Sequence, residues 1–333
     1  MATHLPLRPF GSTGLELTAV GFGAWAIGGA GWSFAWGAQD DDESVAAIRH
    51  AVDAGVNWID TAAVYGLGHS EEVVARALEG MAQDERPYVF TKCGLVWDES
   101  RRQRRVGDPA SIRREADASL RRLGVERIDL LQIHWPSEDG TPVEDSWAAM
   151  LELKAAGKVR FAGVSNYDVG LLEACEAVGH VDSLQPPFSA VARDAAADLL
   201  PWCAAHGTGV LVYSPMQSGL LTGAFDEARA ASLPEDDWRS RSPDFRGDGL
   251  RRNLAVAGAL AQIAEVRGVP TPAAAVAWTL AWPGVSAAIV GARRPDQVDG
   301  WLPAADLALT PEELDRVAGA IEASGAGSGP TRP

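Results

Sequence analysis

Short apolar runs alternate with amphipathic stretches along most of the chain. Runs of three to seven residues that are apolar almost throughout have the length and pattern of buried strands. They lie at residues 19–23, 58–60, 88–92, 128–134, 160–165, 183–185, 210–213 and 285–290. Between them, apolar positions that recur with the helical period predict helices, including those over residues 42–54, 70–80, 109–123, 143–156 and 195–206.

The order of these elements predicts the class of fold. Buried strands that alternate with helices form a parallel sheet covered by helices. Eight such units in 333 residues favour a closed (β/α)8 TIM barrel over an open doubly wound sheet. Residues 5–10 and 15–17, joined by a turn at 11–14, predict an N-terminal β-hairpin.

The boundaries of the domain follow from composition. We find no interdomain linker and expect one barrel domain over residues 1–323. Residues 324–333 are mostly Gly, Ser and Pro, which predicts a disordered tail. Residues 96–108 and 225–249 show no periodicity and are predicted to be long irregular loops, the latter a wall or lid of the site.

Charge and cysteine usage exclude several function classes. The formal net charge of −16 argues against binding to nucleic acid or to an anionic membrane surface through the general field. Cys93, Cys175 and Cys203 are odd in number and widely spaced, which suits a reducing compartment. The first ten residues lack the apolar run of a signal peptide, so we expect a cytoplasmic protein.

Four chemically complementary side chains follow neighbouring predicted strands. Asp60 ends the second strand and Tyr65 follows it; Lys92 ends the third strand, and His134 the fourth. The carboxyl ends of the strands meet at one face of such a barrel, the face that carries active sites. Lysine occurs only at positions 92, 154 and 158, so a lysine at the end of an apolar strand indicates a specific role.

These four groups suit the reduction of a carbonyl compound. The alkoxide that forms must receive a proton, which Tyr65 can supply although the reference pKa of tyrosine is about 10. We expect the ammonium of Lys92 to lower the pKa of Tyr65. Asp60 would hold the ammonium in place, and His134 would hydrogen-bond the carbonyl oxygen of the substrate.

The motifs around these residues resemble those of the aldo-keto reductases, in particular the bacterial branch related to general stress proteins and potassium-channel β-subunits. The resemblance covers residues from about 10 to about 314. It rests on Asp60-Thr61-Ala62-Ala63-Val64-Tyr65-Gly66, Ser70-Glu71-Glu72, Thr91-Lys92, His134, Gly163-Val164-Ser165-Asn166, Gln185-Pro186-Pro187, Tyr213-Ser214-Pro215 and Ile289-Val290-Gly291-Ala292-Arg293-Arg294.

The resemblance implies a cofactor, NADPH or NADH, across the mouth of the barrel. It makes Asp60, Tyr65, Lys92 and His134 the catalytic tetrad. It also assigns Ser165, Asn166 and Gln185 to the nicotinamide carboxamide and Tyr213 to stacking on the nicotinamide ring.

The phosphate groups of the cofactor are expected at the loops after strands seven and eight, the usual phosphate location in this barrel. Arg293 and Arg294, in the loop after strand eight, would suit the 2′-phosphate of NADP(H). NADP(H) is therefore the favoured cofactor, and NAD(H) is possible. The candidate contacts are Ser214, Pro215, Met216, Ser218, Gly219, Leu221, Gly223, Gly291, Arg293, Arg294 and Gln297.

Aromatic residues near the strand ends are candidates for a substrate wall. Trp25, Trp97 and Trp135, with Trp32 and Trp36, could line an apolar pocket for a small carbonyl compound. Two alternatives remain open: an NADPH-binding redox sensor or regulatory subunit with little turnover, and a metal-dependent hydrolase. The six histidines show no H-x-H or H-E-x-x-H pair, so we expect no metal site. The physiological substrate and the oligomeric state are left open.

Overall fold

The computed structural model describes residues 5–32, 35, 37–234 and 237–333. The strands are β1 (Leu7–Pro9), β2 (Glu16–Thr18), β3 (Val20–Gly23), β4 (Trp58–Asp60), β5 (Tyr88–Cys93), β6 (Leu95–Trp97), β7 (Gln103–Arg105), β8 (Ile128–Ile133), β9 (Val159–Ser165), β10 (Ser183–Gln185), β11 (Gly209–Val212) and β12 (Ala287–Gly291). The helices are α1 (Asp41–Asp53), α2 (His69–Leu78), α3 (Pro109–Leu123), α4 (Val143–Ala155), α5 (Val169–Val178), α6 (Leu199–His206), α7 (Glu227–Ala231), α8 (Gly247–Arg267), α9 (Thr271–Leu280), α10 (Pro295–Trp301) and α11 (Pro311–Ser324).

Eight parallel strands close into a barrel in the order β3, β4, β5, β8, β9, β10, β11, β12. The pairing of β12 with β3 completes the ring, with Ala288 opposite Val20 and Gly291 opposite Gly23. The predicted (β/α)8 fold is therefore confirmed. Within the described ranges, none of the helices is both long enough and apolar enough to cross a bilayer.

The N-terminal hairpin contributes to the core inside the barrel. Strands β1 and β2 pair antiparallel, with Arg8 opposite Leu17. Phe10, Leu15 and Leu17 are buried in one apolar cluster with side chains of β4, β5, β8, β11 and β12. The barrel is thus a packed core, and chemistry is confined to its rim.

The ends of several helices match the sequence signals. Asp108 caps α3, with its carboxylate accepting from the N–H of Ser111 at 2.7 Å. Gly124 after α3 and Gly207 after α6 are left-handed, a conformation that glycine adopts without a steric cost.

Both segments predicted as irregular contain regular structure. Residues 96–108 include most of an antiparallel hairpin, β6–β7, in which Val96 lies opposite Arg104. Its strands are three residues long, too short for an alternating pattern to be recognised. Residues 225–249 contain α7, two 3-10 turns at Trp238–Arg241 and Pro243–Phe245, and the start of α8.

The C-terminal segment lies against the barrel, unlike the disordered tail that its composition predicts. The buried guanidinium of Arg193 donates to the carbonyl oxygens of Ala326 at 3.1 Å and Pro330 at 2.9 Å. The N–H of Arg193 donates to the carbonyl of Ser328 at 3.2 Å. A segment of small residues can be held in this way because all three contacts use backbone carbonyls.

Candidate active site

A buried ion pair lies at the centre of the barrel mouth. Lys92 Nζ donates to Asp60 Oδ1 at 2.5 Å and to the carbonyl of Thr61 at 3.0 Å. Lys92 is 1% exposed and Asp60 2% exposed. Strands β4 and β5 are adjacent in the barrel, which places both side chains at the same rim. Because neither charge reaches solvent, each depends on the other for its stability.

Tyr65 is brought over this pair by a tight turn. Its Oη lies 3.5 Å from Lys92 Nζ. Gly66 has a φ of 62°, and a Cβ there would lie 2.1 Å from the carbonyl oxygen of Gly28. Only glycine fits this close approach of two loops, which fixes the position of the tyrosine.

The tyrosine retains its proton. The expectation that Lys92 lowers the pKa of Tyr65 is wrong, because burial and the charge of Asp60 raise this pKa well above its ordinary value. Asp60 is closer to Lys92 Nζ than Tyr65 is and offsets the field of the ammonium. Tyr65 is therefore a protonated phenol at neutral pH, the form that can donate a proton.

His134 completes the group of four. Its ring lies edge-on to that of Tyr65, with 5.6 Å between the centroids. Burial, assisted by the charges of Lys92 and Arg105, holds the pKa of His134 well below its ordinary value. The ring is thus neutral, and its buried Nδ1 makes no hydrogen bond to the described residues. A neutral imidazole can donate a hydrogen bond to a carbonyl oxygen without transferring its proton.

A hydrogen-bond chain joins the predicted nicotinamide contacts to this group. Tyr213 Oη donates to Asn166 Oδ1 at 2.8 Å, and Asn166 Nδ2 donates to Ser165 Oγ at 3.0 Å. Ser165 Oγ donates to the carbonyl of Gln185 at 2.9 Å. Gln185 Nε2 donates to Asp60 Oδ2 at 2.9 Å. The Oε1 atom of Gln185 accepts no hydrogen bond within the described ranges, so it can accept one from a carboxamide.

The loop after β11 has an unusual backbone. Ser214, Gln217 and Ser218 have φ values of 57°, 46° and 51°, and Gly219 and Gly223 have φ values of 94° and 75°. Gln217, Ser218 and Gly219 are left-handed in succession, and the N–H groups of Gln217, Gly219, Leu220, Leu221 and Thr222 donate to carbonyls within the loop. The structure thus places Ser214, Pro215, Met216, Ser218, Gly219, Leu221 and Gly223 in one folded loop. Leu221 is fully buried and its N–H donates to the carbonyl of Met216 at 3.1 Å, so neither its side chain nor its N–H is offered to a ligand.

The loop after β12 carries the Arg pair into α10. Arg293 donates through its guanidinium to Gln39 Oε1 and the carbonyl of Ala38, while its N–H donates to Gln297 Oε1 at 2.7 Å. Arg294 pairs with Asp296 at 3.1 Å and is half-exposed. Gly291 ends β12. The two arginines therefore differ in their surroundings. Arg293 is hydrogen-bonded to the loop before α1, whereas Arg294 faces solvent.

The predicted aromatic wall is partly assembled. Trp25 contacts Trp32 edge-on at 6.5 Å, and Trp32 lies 5.9 Å from the ring of Tyr65. Trp135 stacks under the guanidinium of Arg105 at 4.4 Å. Trp97 lies half-buried on β6. Trp36 lies outside the described residues.

Two contributors were missed from the sequence. Gln39 bridges to Arg293 across 254 positions of the chain, and Arg239 Nη1 donates to the carbonyl of Ser218 in the loop after β11. Neither sits in a recognisable motif. Arg239 lies in residues 225–249, which the sequence predicts as a wall or lid of the site. That prediction places Arg239 near the site but does not identify Ser218 as its partner.

The comparisons assign the family. The barrel, with Asp60, Tyr65, Lys92 and His134 at its mouth, has the arrangement of an oxidoreductase. The family model described as "Aldo/keto reductase family" matches residues 19–322. The chain belongs to this family.

Several relatives with established names resemble the chain over most of its length. The NADH-specific methylglyoxal reductase of Escherichia coli (strain K12) is 33% identical over 304 residues, 87% of this chain and 90% of that protein. The structure of the glycerol dehydrogenase AKR11B4 from Gluconobacter oxydans matches with a TM-score of 0.87 at 39% identity, over 97% of each chain. An aldo/keto reductase from Klebsiella pneumoniae in complex with NADP and acetate matches with a TM-score of 0.71 at 26% identity, over 98% of each chain.

Proposed function

We propose that this protein reduces an aldehyde or ketone to an alcohol with NAD(P)H, and that Tyr65 donates the proton. The observation that carries the proposal is the placement of the Tyr65 hydroxyl 3.5 Å from Lys92 Nζ, which Asp60 holds from the other side at 2.5 Å. The names of the relatives describe enzymes, and no observation favours the sensor or regulatory subunit considered above.

The residues present fit a nicotinamide cofactor. Gln185 Oε1 is an acceptor for the carboxamide, and the ring of Tyr213 offers a flat apolar face for stacking. The loop after β11 is the proposed position of the pyrophosphate, because loops at this end of such a barrel are the usual phosphate site. When bound, the reduced cofactor would supply a hydride to the carbonyl carbon.

The side chains of the barrel mouth then act on the carbonyl oxygen. Neutral His134 donates a hydrogen bond that orients the substrate. Tyr65 transfers its proton to the oxygen as negative charge develops there. The ammonium of Lys92 stabilises the phenolate that is left on Tyr65, and Asp60 keeps that ammonium in place.

NADP(H) is the favoured cofactor, with NAD(H) possible. Arg294 is half-exposed beside α10 and pairs with a single exposed carboxylate, Asp296, so it can turn to a 2′-phosphate. The Klebsiella relative was crystallised with NADP, whereas the name of the E. coli relative specifies NADH.

The substrate is a small carbonyl compound on the side of Trp25, Trp97 and Trp135. The names of the relatives, a methylglyoxal reductase and a glycerol dehydrogenase, support a compound of a few carbon atoms. We further propose one catalytic domain, with its barrel in residues 1–323 and residues 324–333 held against it through Arg193, and a cytoplasmic location. The buried free thiols of Cys93, Cys175 and Cys203 support a reducing compartment.

The test is turnover with each cofactor in turn. Purified protein is mixed with NADPH or NADH and a panel of aldehydes that includes methylglyoxal, glyceraldehyde and 4-nitrobenzaldehyde, and the alcohols are identified by mass spectrometry. We expect alcohol in an amount equal to the cofactor oxidised. Tight cofactor binding without turnover on any member of the panel would contradict the proposal.

A further inference from the structure

A second carboxylate is buried behind the ion pair of Lys92 and Asp60. Glu71, in the first turn of α2, has no exposed surface. Its Oε1 accepts from Thr91 Oγ1 at 2.6 Å, and its Oε2 accepts from Arg122 Nε at 2.5 Å. A buried carboxylate is costly to keep ionised unless it is paired in this way. None of the roles assigned above requires this residue.

Glu71 connects the elements that carry the proton donor and the ammonium. Thr91 directly precedes Lys92 on β5, and α2 begins four residues after Tyr65. The neighbouring Ser70 shares a hydrogen bond of 2.9 Å with Thr61, beside Asp60. The first turn of α2 is thus tied to the ends of both β4 and β5.

The charges alternate in sign from the mouth of the barrel towards solvent. Asp60 is negative, Lys92 positive, Glu71 negative and Arg122 positive, with the side chain of Arg122 20% exposed. Burial lowers the pKa of Lys92, and both Asp60 and Glu71 act against that effect. In a water-excluded site such Coulomb interactions act over longer distances than in solvent.

We propose that Glu71 is a positioning residue for the reduction: it holds Lys92 aligned and positively charged while Tyr65 transfers its proton. This inference rests on the proposed function. Glu71, on α2, would then be a second carboxylate that acts together with Asp60 to keep Lys92 positively charged.

The charged groups around Glu71 determine how the pH dependence of kcat is to be interpreted. Glu71 pairs with Arg122 on α3 and supports the charge of Lys92 on β5, which Asp60 on β4 also supports. Arg122 also acts on Glu115 of α3, whose pKa burial raises to about 7. Tyr65 has a raised pKa, so the loss of activity at high pH is expected to follow Lys92.

The experiment compares the pH dependence of kcat for the wild type, Glu71→Gln and the matched control Glu72→Gln, with NADPH and one aldehyde at saturation. Glu72 is exposed on the same helix. In Glu71→Gln we expect the alkaline decline of kcat to move to lower pH by roughly one unit, because the ammonium has lost a nearby negative charge. Glu72→Gln is expected to follow the wild type, and the Kd of NADPH should not change.

A double variant separates charge from folding. Glu71→Gln leaves the guanidinium of Arg122 with Ser119 but without its carboxylate partner. Glu71→Gln with Arg122→Gln therefore removes the unbalanced charge if the single variant folds poorly. The double variant should shift the alkaline decline in the same direction by a smaller amount, because the loss of the positive charge of Arg122 partly offsets the loss of the negative charge of Glu71. A uniform loss of kcat with no shift, or a shift equally large in Glu72→Gln, would overturn the positioning role.

The same measurements distinguish a failure of the role of Glu71 from a failure of the proposed carbonyl reduction. An active wild type whose alkaline decline is unmoved by Glu71→Gln removes only the role of Glu71. A wild type that reduces no carbonyl compound removes the proposed function, and the inference with it.

Discussion

Gln185 donates from Nε2 to Asp60 Oδ2 at 2.9 Å, while the other carboxylate oxygen of Asp60 accepts from Lys92. A residue assigned to the cofactor thus contacts the ion pair that supports Tyr65 directly. Cofactor binding and the proton donor are expected to be coupled through this one carboxylate.

The first prediction follows from this contact. Gln185→Leu should weaken NADPH binding and also slow the chemical step, because Asp60 loses a donor and the pair with Lys92 is less well fixed. We expect a decrease of about tenfold or more in the single-turnover rate at saturating NADPH, the loss of roughly one charge-assisted hydrogen bond. Tyr213→Phe keeps the aromatic ring and removes only the hydroxyl that donates to Asn166, at the far end of the same hydrogen-bond chain, so it should lower this rate less than Gln185→Leu does. An unchanged single-turnover rate in Gln185→Leu would show that the contact with Asp60 has no catalytic effect.

The second prediction concerns the ion pair itself. Lys92→Met should lower kcat by about 10²- to 10⁴-fold, because the developing phenolate of Tyr65 loses its ammonium. It should also destabilise the protein, since Asp60 is left buried without its partner. Lys92→Met combined with Asp60→Asn should recover stability to urea without recovering activity. Recovery of activity in the double variant would argue that the charge of Lys92 is not needed.

The third prediction is a pH dependence of stability that originates at Glu115. This carboxyl accepts from the N–H of Gly94 at 2.8 Å, and burial raises its pKa from 4.5 to about 7. The folded protein therefore holds this proton more tightly than the unfolded chain does. The resulting stabilisation is complete below about pH 4.5 and is lost as the pH rises through about 7.

Glu115→Gln provides the comparison. Relative to this variant, the wild type should lose about 2 kcal/mol of unfolding free energy between pH 5 and pH 8, allowing for solvent near the half-buried carboxyl. Urea unfolding at several pH values measures the difference. Parallel pH profiles for the two proteins would mean that Glu115 is ionised in the folded state at neutral pH.

The fourth prediction tests the contacts of the C-terminal segment with Arg193. Removal of residues 325–333 deprives the buried guanidinium of the carbonyls of Ala326 and Pro330. Nη1 keeps the carbonyl of Ala190 at 2.6 Å. For the two acceptors that are lost we expect a decrease of about 2 kcal/mol in the free energy of unfolding. Removal of residues 331–333 alone is the control: it keeps the carbonyl of Ala326 and leaves Pro330 with a terminal carboxylate that can still accept from Arg193. If both truncations lower the free energy of unfolding by the same small amount, the contacts of the C-terminal segment with Arg193 do not stabilise the protein.

The strands and the four central side chains could be predicted because their signals are local. The apolar run before Lys92 identifies β5, and the scarcity of lysine makes Lys92 conspicuous. Because parallel strands end at one rim, consecutive strand ends are sufficient to bring Asp60, Lys92 and His134 together.

Other features depend on contacts that leave no local pattern. The bond between Gln39 and Arg293 forms only when the first and last strands of the barrel pair. The carbonyls that hold Arg193 belong to glycine-rich chain that composition alone assigns to disorder. The direction of the pKa shift of Tyr65 depends on burial and on how closely Asp60 approaches Lys92, which are distances rather than residue types.

The phenolic hydroxyl of Tyr65 is the proposed proton donor, and Tyr65→Phe removes this hydroxyl alone. The measurement is the rate of NADPH oxidation with 4-nitrobenzaldehyde for the wild type and Tyr65→Phe, after the Kd of NADPH has been determined for both. We predict that Tyr65→Phe binds NADPH as the wild type does and turns over about 10²- to 10⁴-fold more slowly. If the variant binds NADPH equally well and keeps most of the wild-type rate, Tyr65 is not the proton donor.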